Sequence, residues 1–108
     1  MKKTIAILLS ALPFYANADF SANLETNKNY PGITQINITS KENSGTLNDI
    51  QINRGNCKLY NYQFQEVKKL DPIQLKFGKK LTVFAMDGCN VIEVTLTTNQ
   101  DTYQLSWQ

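Results

Sequence analysis

The sequence has 108 residues, with 11 Lys and Arg, nine Asp and Glu and no histidine, and its formal net charge is +2 at pH 7. This length supports one hydrophobic core and therefore one domain. The missing histidine removes the commonest general base, triad member and metal ligand, so enzymes that depend on such a group are not expected.

The amino terminus has the pattern of a secretion signal. Two lysines, an apolar run over residues 5–12 and a proline follow one another, and Ala16 and Ala18 then form the Ala-x-Ala pattern that signal peptidase cleaves. The apolar run is well short of the roughly 20 residues that cross a hydrocarbon core, so no membrane span is expected. We predict a signal peptide over residues 1–18 and export through the inner membrane, leaving the protein periplasmic or secreted.

Removal of this peptide also changes the charge of the chain. Without Lys2 and Lys3 the count of Lys and Arg falls from 11 to 9 and equals that of the nine acidic residues. The isoelectric point of about 8.5 therefore reflects mainly the signal peptide, and no nucleic acid or anionic membrane is expected as a partner. The lysines at positions 68, 69, 76, 79 and 80 are expected to form a solvated surface near strand edges.

Two cysteines, Cys57 and Cys89, follow the predicted signal. In an exported chain such a pair is expected to form one intramolecular disulfide. Closing a loop of this length restricts the unfolded chain and raises its free energy by on the order of 3.7 kcal/mol, a large share of the stability of a small domain. A redox-active pair is the alternative, but the cysteines lack the Cys-x-x-Cys spacing typical of such sites.

Alternation of apolar and polar residues predicts strands along most of residues 19–108. Six stretches show it, with apolar members Phe20, Ala22 and Leu24; Ile36 and Ile38; Ile50 and Ile52; Leu81, Val83 and Ala85; Ile92, Val94 and Leu96; and Tyr103, Leu105 and Trp107. Two further strands are predicted over Lys58–Gln65, with three aromatic side chains on one side, and over Ile73–Phe77. Between these two, Glu66–Leu70 allows one helical turn, which Pro72 ends.

Turn-forming residues separate these stretches, among them Asn53-Arg54-Gly55-Asn56, whose members tolerate a positive φ, and Asp87-Gly88. Seven or so short strands in about 90 residues predict an all-β fold. We expect residues 19–108 to form a single small antiparallel β-sandwich of the fibronectin type III or immunoglobulin-like kind, with a small barrel as the alternative.

Carboxylates are the remaining candidates for catalysis, and most of them fall in turns or on polar strand faces. A zinc site draws on His or several Cys, and neither a calcium loop nor a glycine-rich phosphate loop is present in the sequence. We therefore predict no catalytic residue, no metal and no cofactor. A small carboxylate-based hydrolase is the alternative, with candidate acids Glu66, Asp71, Asp87 and Glu93.

Five side chains are candidates for binding a protein partner. They are Arg54, Tyr60, Tyr62, Tyr103 and Trp107. Arginine, tyrosine and tryptophan are the residue types enriched at the hot spots of protein interfaces. The alternative for each aromatic residue is that it fills or caps the core of a two-layer fold.

Three stretches of the sequence resemble one known family. They are Ile52-Asn53-Arg54-Gly55-Asn56-Cys57, Leu75-Lys76-Phe77-Gly78, and the segment from Cys89 through Ile92-Glu93-Val94 to Thr97-Thr98-Asn99. Over roughly the carboxy-terminal half they resemble the IrmA family, the interleukin receptor mimic proteins of pathogenic enteric bacteria. The resemblance implies a fibronectin type III-like sandwich, a homodimer formed by exchanging strands, and virulence-associated binding to host cytokine receptors. It assigns no receptor-binding residue to this sequence.

The residues and the resemblance favour a secreted, non-enzymatic β-sandwich that binds another protein as a homodimer. Its aromatic side chains and an open sheet edge are the expected binding elements, because an open edge offers unpaired backbone groups to a partner strand. The alternative is a periplasmic inhibitor of a host enzyme such as lysozyme, in which a small disulfide-bonded domain plugs an active-site cleft.

Overall fold

The computed structural model describes residues 14–15, 19–26 and 28–107. Eight strands run through these residues: β1 Phe14–Tyr15, β2 Phe20–Thr26, β3 Thr34–Ser40, β4 Gly45–Ile52, β5 Ile73–Leu75, β6 Lys80–Ala85, β7 Glu93–Thr98 and β8 Thr102–Trp107. Most of the predicted signal peptide lies outside the described residues, and of that segment only β1 is placed. None of the helical segments among the described residues is long and apolar enough to cross a bilayer.

The strands form two open antiparallel sheets. The larger sheet has the order β1-β8-β7-β4-β5 and the smaller one the order β2-β3-β6. Apart from the two-residue β1, seven strands divide between the layers, as in the sandwich architecture shared by immunoglobulin and fibronectin type III domains. The predicted antiparallel β-sandwich is confirmed. Because both sheets keep open edges, the barrel alternative is wrong.

The core lies between the two sheets and is built by the apolar residue of each alternating pair. It comprises Phe20, Ala22, Ile36, Ile38, Leu47, Ile50, Ile52, Leu59, Leu75, Val83, Ala85, Val91, Val94, Leu96, Tyr103 and Leu105. The rings of Phe20 on β2 and Tyr103 on β8 meet edge-on with their centroids 4.9 Å apart, which joins one layer to the other. The outer faces of both sheets carry mainly polar residues, and Phe84 on β6 is an exception.

Two predicted elements are wrong, and a third is shorter than predicted. No strand forms over Lys58–Gln65 and no helical turn forms over Glu66–Leu70. The strand predicted over Ile73–Phe77 stops at Leu75, because Lys79 N–H turns back to the carbonyl of Lys76 at 2.9 Å. Phe77 is consequently exposed.

The strand at Val91–Thr98 is confirmed but begins two residues late, at Glu93. Ile92 was expected to share the buried face of Val94 and Leu96, and it is exposed instead. A residue that precedes the paired strand is not held to the pleat, so the alternation of its side chain is lost.

The disulfide between Cys57 and Cys89 is confirmed, with the Cα atoms 6.2 Å apart. Cys57 follows the end of β4 in the larger sheet, and Cys89 follows the end of β6 in the smaller one. The bond therefore ties the two layers together at one end of the sandwich. We call this end, which also holds the beginning of β7, the cystine end.

Replacing both cysteines by alanine is expected to lower the free energy of unfolding by on the order of 3.7 kcal/mol, because the unfolded chain regains the freedom of the open loop. Urea unfolding followed by circular dichroism measures the change. The wild-type protein under reducing conditions is the matched comparison and should lose a similar amount. An unchanged unfolding midpoint in both samples would show that the bond adds no stability.

Candidate functional site

The segment between β4 and β5, residues 53–72, is the longest connection between strands in the described part of the chain, and we call it the long connection. Connections in compact domains usually have about four to six residues, and irregular ones above about 15 are uncommon and are either functional loops or linker segments. This segment also holds three of the five side chains predicted to bind a partner. The candidate site is therefore built from this connection.

Asn53 opens the connection and fixes its direction. Its carboxamide oxygen accepts hydrogen bonds from the backbone N–H of Ile92 at 2.9 Å and of Glu93 at 3.1 Å. Its amide nitrogen donates to the carbonyl of Asn90 at 2.8 Å and lies 3.4 Å from the sulfur of Cys57. One side chain thus joins the end of β4, the disulfide and the beginning of β7. These bonds stabilise a backbone with φ of 52°, which asparagine tolerates better than most residues.

Arg54 also has a left-handed backbone, with φ of 59°. Its side chain is 76% exposed, and its Nε donates to Glu93 Oε2 at 3.0 Å. The same carboxylate oxygen accepts a bond from the Gln104 amide at 2.7 Å. A left-handed residue costs roughly 1–2 kcal/mol, whereas an exposed ion pair contributes about 0–1 kcal/mol. The contacts of Arg54 within the chain therefore do not offset the cost of its backbone.

Residues 60–66 form a compact loop that we call the aromatic loop. The Asn61 carboxamide oxygen accepts bonds from the backbone N–H of Gln63 at 2.9 Å and of Gln65 at 3.0 Å. Asn61 N–H donates in turn to the carbonyl of Gln65 at 3.0 Å. A side chain that satisfies the backbone locally competes with strand pairing, which explains why the predicted strand does not form here.

The aromatic loop is attached to the edge of the smaller sheet. Tyr60 and Phe84 on β6 exchange two backbone hydrogen bonds of 2.9 Å, one in each direction. Val67 N–H donates to the carbonyl of Leu59 at 2.8 Å and closes the base of the loop. The loop therefore has a fixed position although it contains no regular strand.

Two aromatic side chains project from this loop. Tyr62 is 73% exposed and Phe64 is 50% exposed. The ring of Phe64 packs against that of Phe84, with centroids 4.9 Å apart. Phe64 has φ of 60°, and for a bulky residue such a backbone is a true outlier. Strained residues of this kind persist where the surroundings impose them, and they cluster at functional sites.

The structure separates the five side chains predicted to bind. Tyr60 and Tyr62 lie together on the aromatic loop, whereas Tyr103 is only 3% exposed and belongs to the core, out of reach of a partner. Trp107, partly buried at the end of β8, lines with Ala22 and Leu24 a depression of about 460 Å³ beside β2.

Arg54 lies on another surface than the aromatic loop. Its partner Glu93 points to the outer face of the larger sheet, since the next residue, Val94, is buried between the sheets. Phe64 packs on Phe84, which points to the outer face of the smaller sheet because both its neighbours in β6 point inward. Phe64 was not among the predicted binding residues. The feature of the sequence that indicates a loop around Phe64 is Asn61, because asparagine favours turns and interrupts the apparent alternation.

Among the residues that the structure describes, no group of three or more Asp, Glu or Cys side chains could hold a metal ion. In comparisons with protein-family models, curated proteins and solved structures, nothing matches this chain. The resemblance to the IrmA family therefore stays a prediction. Its most specific stretch, residues 53–57, has a structural role in this protein, because Asn53 and Cys57 hold the cystine end together.

Asn53 gives a test of this structural role. We expect Asn53→Gly to lower the free energy of unfolding by about 1–3 kcal/mol, because three backbone groups at the cystine end lose hydrogen bonds worth about 0.5–1.5 kcal/mol each. Asn53→Ala should lower it by about 1 kcal/mol more, since alanine, unlike glycine, has a Cβ that makes the left-handed backbone unfavourable. Urea unfolding measures both. Asn56→Ala, an exposed neighbour, is the control and should change little; equal stability of wild type and Asn53→Gly would contradict the role.

Proposed function

We propose that the protein is a non-enzymatic module that binds another protein through the aromatic loop. The observation that carries this proposal is Phe64, a bulky residue in a left-handed backbone with half of its side chain exposed. A strained conformation that leaves an aromatic ring at the surface lowers the stability of the isolated domain, and a partner that covers the ring offsets that cost.

The aromatic loop is ordered by its own hydrogen bonds before any partner binds. Asn61 bonds to the backbone on both sides of the loop tip, and Tyr60 is paired with Phe84. A loop that is already ordered loses little conformational entropy when a partner docks. Tyrosine also provides a large contact area with few rotatable bonds, and it is enriched at interface hot spots. Tyr62 and Phe64 are therefore the proposed anchors.

The partner we propose is a host cytokine receptor, as the resemblance to the IrmA family implies. The predicted signal peptide supports this, because export through the inner membrane is the first step towards the outside of the cell, where receptor ectodomains are found. The disulfide supports it as well, since such bonds form and persist in oxidising compartments. Inhibition of a host lysozyme is a separate hypothesis, and the same experiment distinguishes the two.

Tyr62→Ala is expected to weaken binding of the partner at least about 30-fold, the effect of losing a hot spot of roughly 2 kcal/mol. The measurement is surface plasmon resonance of the immobilised protein against a panel of cytokine receptor ectodomains, with lysozyme as a further analyte. Tyr30→Ala is the matched control, because Tyr30 is also exposed and lies outside the loop.

The unfolding midpoint of Tyr62→Ala should stay unchanged, which separates a loss of contact from a loss of fold. Equal binding by Tyr62→Ala and Tyr30→Ala would contradict the assignment of the loop. Binding and inhibition of lysozyme, with no receptor bound, would favour the inhibitor hypothesis over receptor binding.

The edge of β8 supports the homodimer that belongs to the same proposal. β1 occupies this edge, with Phe14 opposite Trp107 and Tyr15 opposite Ser106. Cleavage after Ala18, as the sequence predicts, removes β1 and leaves the edge unpaired. An open edge pairs readily with a strand from another chain, and in a dimer the edge strand of each copy hydrogen-bonds to that of the other.

The processed chain, residues 19–108, is expected to be a dimer at micromolar concentration in size-exclusion chromatography with light scattering. Trp107 N–H donates to Ile92 on the β7 side, so the N–H of Ser106 points to the open edge. Ser106→Pro removes that donor and should yield a monomer. Ser106→Ala keeps the donor and should remain a dimer. A strictly monomeric wild type would exclude edge pairing.

A further inference from the structure

A notch of about 100 Å³ lies beside the aromatic loop, on the outer face of the smaller sheet at the cystine end. Its lining side chains provide one carboxylate, one amide and two aromatic rings, together with a threonine and an isoleucine. The lining residues are Glu25, Thr26, Ile33, Gln35, Phe64 and Phe84. Such a combination of negative charge and aromatic surface is the environment that favours an organic cation.

The register of the sheet produces this arrangement. Glu25 on β2 lies directly opposite Gln35 on β3, and Gln35 lies opposite Phe84 on β6. The three residues therefore form a row across the sheet on its outer face. Neighbouring strands are about 4.8 Å apart, so the backbone positions of Glu25 and Phe84 are separated by about 10 Å. Phe64 adds a second ring on the Phe84 side.

The carboxylate of Glu25 is oriented by a polar network beside the notch. Its Oε2 accepts a hydrogen bond from the Asn37 amide at 3.0 Å. Asn37 Oδ1 accepts in turn from the Gln35 amide at 2.8 Å and from the Thr82 hydroxyl at 3.2 Å. A carboxylate has about four acceptor positions and this network uses one of them, so the group can accept further hydrogen bonds from a ligand.

We propose that this notch receives the side chain of an arginine on the partner protein. A guanidinium group donates two parallel bonds to a carboxylate and stacks its plane on an aromatic ring, and the side chains of Glu25, Phe64 and Phe84 line one notch that offers both partners. Lysine is less suited, because its ammonium group is a strongly hydrated point charge with no plane to stack. The inference rests on the proposed function and names the chemistry of the partner at that site.

The test is a titration of the ¹⁵N-labelled protein with N-acetyl-arginine amide, followed by NMR. We expect saturable shifts of the backbone signals of Glu25, Gln35 and Phe84, with an affinity in the millimolar range that weakens as salt is added. N-acetyl-citrulline amide has nearly the same shape without the charge, and it should bind at least about tenfold more weakly. Equal shifts by the two compounds would overturn the proposal.

Glu25→Gln should weaken binding of the arginine derivative about tenfold while the spectrum stays that of the folded protein. Glu42→Gln is the matched control, since Glu42 is an exposed carboxylate at the opposite end of the sandwich, and it should bind as the wild type does. Binding of N-acetyl-lysine amide as tight as that of the arginine derivative would overturn the preference for a guanidinium group.

Binding of a receptor by the two variants tests the notch and the aromatic loop separately. Once a protein partner is bound in the receptor panel, Glu25→Gln and Tyr62→Ala should both weaken it if the notch and the loop act together. If only Tyr62→Ala weakens the binding of the partner, the loop is part of the binding site and the proposal for the notch is wrong. If neither variant changes the binding of that partner, both the loop and the notch are wrong as its site.

Discussion

The Cys57–Cys89 disulfide, together with the hydrogen bonds of Asn53, determines where the long connection leaves the sandwich. The position of the aromatic loop depends on it, because Cys57 lies only three residues before Tyr60 and Tyr60 pairs with the edge of β6. The disulfide and the pairing of Tyr60 thus hold the loop where it begins, and the bond from Val67 N–H to the carbonyl of Leu59 holds it where it ends. Such a loop presents Tyr62 and Phe64 with little entropy left to lose.

The strained residues of this protein are of two kinds. Asn53 has a left-handed backbone, and its side chain makes several hydrogen bonds within the chain, so the fold itself accounts for the strain. Arg54 and Phe64 have the same left-handed backbone, but the side chain of Arg54 makes one ion pair and that of Phe64 one ring contact, while the N–H of Phe64 donates to the carbonyl of Asn61. In these two residues, unlike in Asn53, the side chain itself contributes little to holding the strained backbone. That difference is why the proposed binding surface begins at Phe64.

Alternation predicted the strands well wherever both faces of a strand are defined by the sandwich, as for Ile36 and Ile38 on β3 and for Leu105 on β8. It failed where a side chain replaces the partner strand as the source of hydrogen bonds. Tyr60, Tyr62 and Phe64 alternate in sequence, but Asn61 bonds to the backbone around it and turns the chain. Local alternation indicates which side chains fit a pleated strand, but it does not indicate whether another strand lies beside it to pair with.

The candidate site was less accessible to sequence reasoning than the fold, because it depends on contacts between distant segments. Tyr62 was identified by its residue type, while Tyr103, chosen on the same ground, is a core residue that packs on Phe20. The row of Glu25, Gln35 and Phe84 exists only through the register of three strands, since those residues lie far apart along the chain. A one-residue shift in either pairing would turn one member of the row to the core face. The buried face that fixes the register therefore also places the carboxylate in the same row as the ring of Phe84, so the packing of the core determines the chemistry of the surface.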